Sequence, residues 1–280
     1  MSYSAEISRQ NPTCILFVID QSESMVDMMP GSESLSKATF LATAINRYLQ
    51  DLVIKCSRSE GVRDYFSVGV IGYGATVGPA FSGNLAGKSM AMISEVADNP
   101  ARLEERTRKV SDGAGGLVEE KFKLPIWFDP VAQNGTPMCE ALNLVHSVVA
   151  SWLAEHPDCF PPVILHFTDG QSTDGDPLGA MQTLTSLSSS DGNVLSFNIH
   201  ISSNPNAREI QFPGESDQFP DPFAQVLFAG SSPLTPFMRA VARDAYGMQL
   251  SDSARAFVMN ARDVLLIAAL DIGTRPSNLR

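Results

Sequence analysis

The chain has 280 residues, of which 44% are hydrophobic and 18% are charged, a composition typical of a globular protein with a substantial core. Its 20 basic and 31 acidic residues give a net charge of 20 − 31 = −11, which argues against nucleic acid or an anionic membrane as a main partner. No stretch reaches the roughly 18 consecutive apolar residues that a membrane span needs, and the N-terminal segment contains no apolar signal region. We therefore expect a cytoplasmic protein.

Strand-like and helix-like segments alternate along the chain, with connections long enough for crossovers. This order predicts an α/β fold: a Rossmann-like, doubly wound, mostly parallel central sheet with helices on both faces. The hydrophobic patterns in chain order predict a strand at 14–20, a helix at about 35–56, a strand at 65–74, a helix at about 137–155, a strand in 161–170, a helix at about 177–190, a strand at 193–202, and helices at about 234–246 and 251–270.

Two long stretches interrupt the alternation. Residues 75–130 are punctuated by glycine and mixed in charge, with a possible strand at 121–128, and residues 203–233 are rich in Pro, Asn, Asp and Phe. We interpret both as insertions in a single domain, 1–280, whose core is about 12–205 plus C-terminal helices in 234–272. We expect deletion of 203–233 to preserve metal binding and to alter partner choice.

The cysteines and histidines give no sign of a metal or redox centre of their own. The four cysteines are widely separated and no C-x-x-C pair occurs, so we interpret them as reduced core residues. The four histidines are scattered without metal-ligand spacing, and we interpret them as core or surface residues.

Oxygen-bearing side chains lie on three loops that border predicted strands or helices. Asp20, Ser22 and Ser24 follow the first strand as D-x-S-x-S, Thr136 precedes the helix that starts near 138, and Asp169 follows the strand VILHF. Ligands of open α/β sheets sit beyond the carboxyl ends of the strands, so these five side chains converge if their strands are neighbours.

Two carboxylates and three hydroxyls form an all-oxygen set that suits a hard cation such as Mg²⁺, Mn²⁺ or Ca²⁺. Neutral hydroxyl ligands would leave the ion incompletely neutralised and able to attract an external carboxylate. Four of the five residues also have a local structural interpretation. Ser22 and Ser24 fit the cap of a helix near residue 25, Thr136 fits an N-cap before Pro137, and Asp169 fits a turn.

In its D-x-S-x-S, its distant Thr136 and its later Asp169, the chain resembles a von Willebrand factor A (integrin I-like) domain with a complete metal-ion-dependent adhesion site. The resemblance covers roughly residues 12–205. It implies that Ser22, Ser24 and Thr136 bind the ion. Asp20 and Asp169 would lie nearby, directly or through water, and an Asp or Glu of a partner protein would complete the site.

The resemblance also implies a bacterial intracellular interaction module, an adaptor in signalling, stress response or defence, with Ser/Thr kinase or phosphatase systems among its partners. The alternative is a subunit of an ATP-driven metal-chelatase or MoxR-like assembly machine, and a metal-dependent hydrolase is less favoured. We expect no enzymatic activity, because the chain lacks G-x-S-x-G, the P-loop and a dinucleotide-binding turn.

Overall fold

The computed structural model describes residues 3–30, 32–111, 116–204, 206–215, 219 and 222–275. The strands in these residues are β1 (Thr13–Asp20), β2 (Ser57–Arg58), β3 (Gly61–Val62), β4 (Phe66–Tyr73), β5 (Val77–Pro79), β6 (Ala91–Met92), β7 (Arg102–Ser111), β8 (Leu117–Ile126), β9 (Val163–Thr168), β10 (Ser188–Ser189), β11 (Gly192–Asn193), β12 (Leu195–His200), β13 (Ile210–Gln211) and β14 (Phe257–Met259). The helices are α1 (Lys37–Cys56), α2 (Ile93–Asp98), α3 (Met138–Glu155), α4 (Leu178–Ser186), α5 (Pro222–Ala229), α6 (Pro236–Tyr246) and α7 (Asp263–Thr274).

One large sheet organises the molecule. Its strands β14, β12, β9, β1 and β4 are neighbours in that order, and each adjacent pair is parallel. Short antiparallel strands border this parallel centre, with β13 on β14 at one edge and β5 and β6 on β4 at the other. Strands β1 and β4 are buried along their whole length, as parallel strands covered on both faces require.

Helices cover both faces of the sheet, and the alternation of side chains along β1 shows the two layers. Ile15, Phe17 and Ile19 pack into the core that includes residues of α1, α2, α6 and α7. Leu16 and Val18 pack into the second core, with residues of α3, α4 and α5. The predicted fold class, a mostly parallel sheet between two helical layers, is confirmed.

The strand order reverses at β1. Helix α1 leads from β1 to β4 on one side, and α3 precedes β9, which pairs with β1 on the other side. Such a reversal leaves a crevice at the carboxyl ends of the central strands, where ligands of this architecture bind. The crevice lies where β1 ends, at Asp20.

The helix predicted over 251–270 is wrong in its first half. Phe257–Met259 form β14, which pairs with β12 on one side and β13 on the other, and α7 begins only at Asp263. A three-residue apolar run carries no periodicity of its own, so it merges with the following helical pattern.

The two long stretches contribute to the sheet as well as to the surface. Residues 75–130 supply β5, β6 and α2 and the antiparallel ribbon of β7 and β8. Residues 203–233 supply β13 and α5, and Ala224 and Leu227 of α5 are fully buried. Deletion of 203–233 would therefore remove core contacts, and its expected preservation of metal binding stays a prediction. No helix in the described residues is long and apolar enough to cross a membrane.

A chain of buried polar groups runs across the strands below the crevice. The Tyr73 hydroxyl lies 2.7 Å from His166 Nε2, and His166 Nδ1 lies 2.8 Å from Asn198 Oδ1. Asn198 Nδ2 in turn donates to Ser231 Oγ and to the Leu227 carbonyl, both at 3.0 Å. Burial lowers the pKa of His166 to about 4, so this imidazole is neutral in the folded protein at neutral pH.

Acidification should therefore destabilise the fold through His166. Its folded pKa of about 4 is below the unfolded value of 6.5, so the folded state binds fewer protons. The stabilisation is present above pH 6.5 and is lost as the pH falls toward 4, an effect of about 3 kcal/mol. We expect urea unfolding of His166→Gln to depend less on pH between 6.5 and 4 than that of the wild type. The control is His146→Gln, and parallel pH curves for His166→Gln and wild type would contradict this account.

Candidate metal centre

Asp20 joins the two central strands at the crevice. It is the last residue of β1 and is fully buried. Its Oδ1 accepts the backbone N–H of Ser22 at 2.9 Å, and its Oδ2 accepts the hydroxyl of Thr168, the last residue of β9, also at 2.9 Å. The carboxylate thus fixes the loop after β1 against the end of the neighbouring strand.

The two serines continue this hydrogen-bonded chain to the second carboxylate. The Ser22 and Ser24 hydroxyl oxygens are 3.1 Å apart, and Ser24 Oγ donates to Asp169 Oδ1 at 2.7 Å. Ser22 precedes a 3₁₀ turn, Glu23–Val26, but its side chain makes no capping hydrogen bond. The capping interpretation of Ser22 is therefore wrong. The hydroxyls of Ser22 and Ser24 instead lie within hydrogen-bond distance of each other, and that of Ser24 donates to Asp169.

Thr136 lies on the third loop, which is bound by its backbone to the other two. The Asn134 carbonyl accepts the N–H of Glu23 at 2.8 Å, and the Thr136 carbonyl accepts the N–H of Thr173 at 2.9 Å. Within the described residues, the hydroxyl of Thr136 makes no hydrogen bond, although the residue is only 6% exposed. Among the described hydrogen bonds, the other four predicted site residues are linked to one another, and the side chain of Thr136 is not part of that network.

Thr136 is not the N-cap of α3. The side chain of Asp174, from the loop after β9, caps the start of that helix instead. Its carboxylate accepts the backbone N–H of Cys139 at 3.0 Å and that of Glu140 at 2.9 Å. Desolvation raises the pKa of Asp174, but these hydrogen bonds and one from Ser172 together lower it below its ordinary value. Capping by Asp174 leaves the Thr136 hydroxyl available to a ligand.

Close backbone approach brings the loops together beside the end of β4. The N–H of Gln133 donates to the Gln21 carbonyl at 2.6 Å. A Cβ at Gly74 would lie 2.5 Å from the Gln21 carbonyl oxygen and 2.9 Å from that of Gln133. Only glycine fits between these two carbonyls, so Gly74 permits the contact between the loops that carry Ser22 and Thr136.

The carboxylates of Asp20 and Asp169 are buried, and their hydrogen bonds compensate only in part for the loss of water around them. The pKa of Asp20 is raised to about 6, because desolvation and the charge of Asp169 outweigh the hydrogen bonds from Ser22 and Thr168 that lower it. Asp169 Oδ2 is buried and makes no hydrogen bond within the described residues. It does lie 2.5 Å from Lys37 Nζ, a charge–charge contact without hydrogen-bond alignment.

Lys37 is a site residue that sequence reasoning missed. It is the first residue of α1 and is buried, at 3% exposure. The signal was its position: Lys37, Leu41, Ile45 and Leu49 recur at four-residue intervals on the buried face of α1. A lysine on such a face needs a charged partner, and here that partner is Asp169.

These residues fit a hard divalent cation. The described residues contain no group of three His, Cys, Asp or Glu side chains placed to hold a metal. The donors instead are two buried carboxylates, the hydroxyls of Ser22 and Ser24, and the free hydroxyl of Thr136. An all-oxygen set in which one buried carboxylate oxygen is balanced by an ammonium and receives no hydrogen bond matches the chemistry of Mg²⁺ and Mn²⁺.

Among the solved structures that resemble the chain are two of a bacterial pilus protein, and both likenesses are weak. The structure of three N-terminal domains of the type V pili tip protein Mfa5 from Porphyromonas gingivalis matches 58% of this chain and 20% of its own, at 15% identity and a TM-score of 0.31. The structure of the vWF domain of the same pilus protein matches 84% of this chain and 51% of its own, at 13% identity and a TM-score of 0.28. The matched regions thus cover about half or less of those structures. No protein-family model and no curated protein sequence matches the chain.

Proposed function

We propose that this protein is an interaction module whose crevice site binds a divalent cation, Mg²⁺ in the cell, and through it an Asp or Glu side chain of a partner protein. The observation that carries this proposal is the continuous hydrogen-bonded chain from Thr168 through Asp20, Ser22 and Ser24 to Asp169. It assembles four predicted site residues from two loops at the switch point of the sheet, with Thr136 on the adjoining loop.

The roles of the residues follow from their charge. Ser22, Ser24 and Thr136 would supply neutral hydroxyl ligands, and Asp20 and Asp169 would supply negative charge directly or through water. When bound, the metal would supply a positive charge open to an external carboxylate. The two carboxylates match the charge of a divalent ion, and the ammonium of Lys37 beside Asp169 would leave the loaded site with one net positive charge. Such a site would not repel the partner's acid, as a site of four acids would.

Binding without catalysis is part of the same proposal. His166 lies on the strand that leads into Asp169, but it is fully buried and both of its ring nitrogens are hydrogen-bonded. It cannot reach an external substrate as a general base. The absence of nucleophile and phosphate-loop motifs from the sequence supports the same conclusion.

The setting we propose is a cytoplasmic adaptor in bacterial signalling, stress response or defence, acting with a protein partner such as a Ser/Thr kinase or phosphatase system. The sequence resemblance is the support for that pathway context. The cytoplasmic location is further supported by the cysteines, since all four are free thiols and three are buried. The net charge of −11 supports a protein partner over nucleic acid or an anionic membrane.

Isothermal titration of chelator-stripped protein with Mg²⁺, Mn²⁺ and Ca²⁺ tests the metal site. We expect one-to-one binding, weakened about 10- to 100-fold or more in Thr136→Val and Asp20→Asn, because each loses a ligand or its supporting charge. Thr136→Val is the sharper variant, since the hydroxyl that it removes makes no hydrogen bond within the described part of the chain.

Thr185→Val on α4 is the matched control, because within the described residues its hydroxyl bonds only to backbone carbonyls of its own helix, at 3.0 and 3.2 Å. It should bind metal like the wild type. Equal metal affinity in Thr136→Val, Thr185→Val and wild type would show that the metal binds elsewhere.

Water-proton relaxation of the Mn²⁺-loaded protein tests the capture of a carboxylate. A bound Mn²⁺ with an open position keeps exchangeable water, and a carboxylate that enters this position displaces that water. We expect glutarate to lower the relaxation rate in a saturable manner and the uncharged glutaramide to leave it unchanged. An unchanged rate with glutarate would mean that the site binds metal but does not capture acidic groups.

A further inference from the structure

Two effects disfavour a charged Lys37 at its position in the structure. Its side chain is 4% exposed, whereas lysine almost always keeps its charge in water. It also occupies the first position of α1, where the positive end of the helix dipole disfavours a cation. Because burial and the helix dipole both disfavour this positive charge, anions must lie close to it to balance it.

Two carboxylates supply that balance. Asp169, whose side chain is fully buried, places Oδ2 2.5 Å from Lys37 Nζ, and the half-exposed Asp27 places its Oδ2 at 3.3 Å. The backbone N–H of Lys37 also donates to the Asp27 carbonyl at 2.9 Å. The lysine is thus fixed by both its backbone and its charged group, and it faces the carboxylate oxygen of Asp169 that the serine chain leaves unbonded.

From this arrangement we infer that Lys37 is an internal cation that competes with the divalent metal for Asp169. The role of Lys37 rests on the proposed function. Before metal binds, Lys37 balances Asp169 and holds the loop after β9 in place. When metal binds, a doubly charged ion and the ammonium share one carboxylate in a buried site, and their mutual repulsion lowers the metal affinity.

The competition couples metal binding to the partner. A carboxylate from a partner adds one negative charge to the site and offsets the repulsion between the ion and Lys37. Metal and acidic ligand should therefore bind cooperatively, each raising the affinity for the other by the same factor. Lys37 keeps the site weakly metallated when it is alone and strongly metallated in the complex.

Lys37→Met tests the inference, because methionine keeps an unbranched apolar side chain and removes the charge. We expect Mn²⁺ to bind about tenfold or more tightly to this variant, since the repulsion is gone. Thermal unfolding in chelator should begin at a lower temperature, because Asp169 is left without its counter-ion. The rise in midpoint on adding Mn²⁺ should be larger than in the wild type.

Two further variants complete the comparison. Lys55→Met, an exposed lysine near the end of the same helix, should behave as the wild type in every measurement. Lys37→Gln removes the charge but keeps a polar end, and it should also bind Mn²⁺ more tightly. If both neutral variants at position 37 unfold in chelator, added Mn²⁺ should refold them, because the ion replaces the ammonium, and failure to refold would overturn the inference.

The outcomes separate the role of Lys37 from the proposed function. Wild-type binding of Mn²⁺ with equal or weaker binding in both neutral variants would overturn the competition and leave the metal site standing. Binding in Lys37→Met with none in the wild type would support the competition in its strongest form. Absence of binding in all of these proteins would overturn the metal site and the competition together.

Discussion

The buried carboxylate of Asp20 is the interaction on which the site depends. It ends the central strand β1 and accepts hydrogen bonds from the loop that follows it and from Thr168 on the neighbouring strand β9. Parallel strands bring their carboxyl ends to one edge, but they do not by themselves fix the loops beyond. Asp20 does so with one side chain, and the positions of Ser22, Ser24 and Asp169 follow from it.

The charge of this site has to be balanced inside the protein. Desolvation raises the pKa of Asp20 to about 6, and Asp169 is paired with the ammonium of Lys37. Hydroxyl donors from the two serines reduce the cost of burying the carboxylates without adding charge of their own. The result is a cluster of two buried carboxylates that holds one cation of its own, the ammonium of Lys37.

Sequence predicted the parts that rest on long, regular patterns. Strands β1 and β4 are continuous apolar runs bounded by polar residues, and the D-x-S-x-S after β1 marked the carboxyl edge of the sheet. The short strand β14 was hidden because its three residues share the apolar character of the helix after them. A pattern reports burial, and it does not tell a brief buried strand from the beginning of a buried helix.

The same limit applies to the site. Asp20, Ser22 and Ser24 could be identified as candidate ligands from local spacing, because they are close in the chain. The pairing of Lys37 with Asp169 joins residues more than a hundred positions apart, and the capping of α3 by Asp174 depends on where one loop crosses another. Both are set by tertiary packing, although the place of Lys37 on the buried face of α1 was a signal that the sequence did contain.

Anomalous diffraction from crystals loaded with Mn²⁺ would locate the ion without reference to activity. We expect a single strong peak in contact with the hydroxyl oxygens of Ser22, Ser24 and Thr136. Peaks confined to surface carboxylates, with Ser24 still bonded to Asp169 and Thr136 still without a partner, would contradict this expectation.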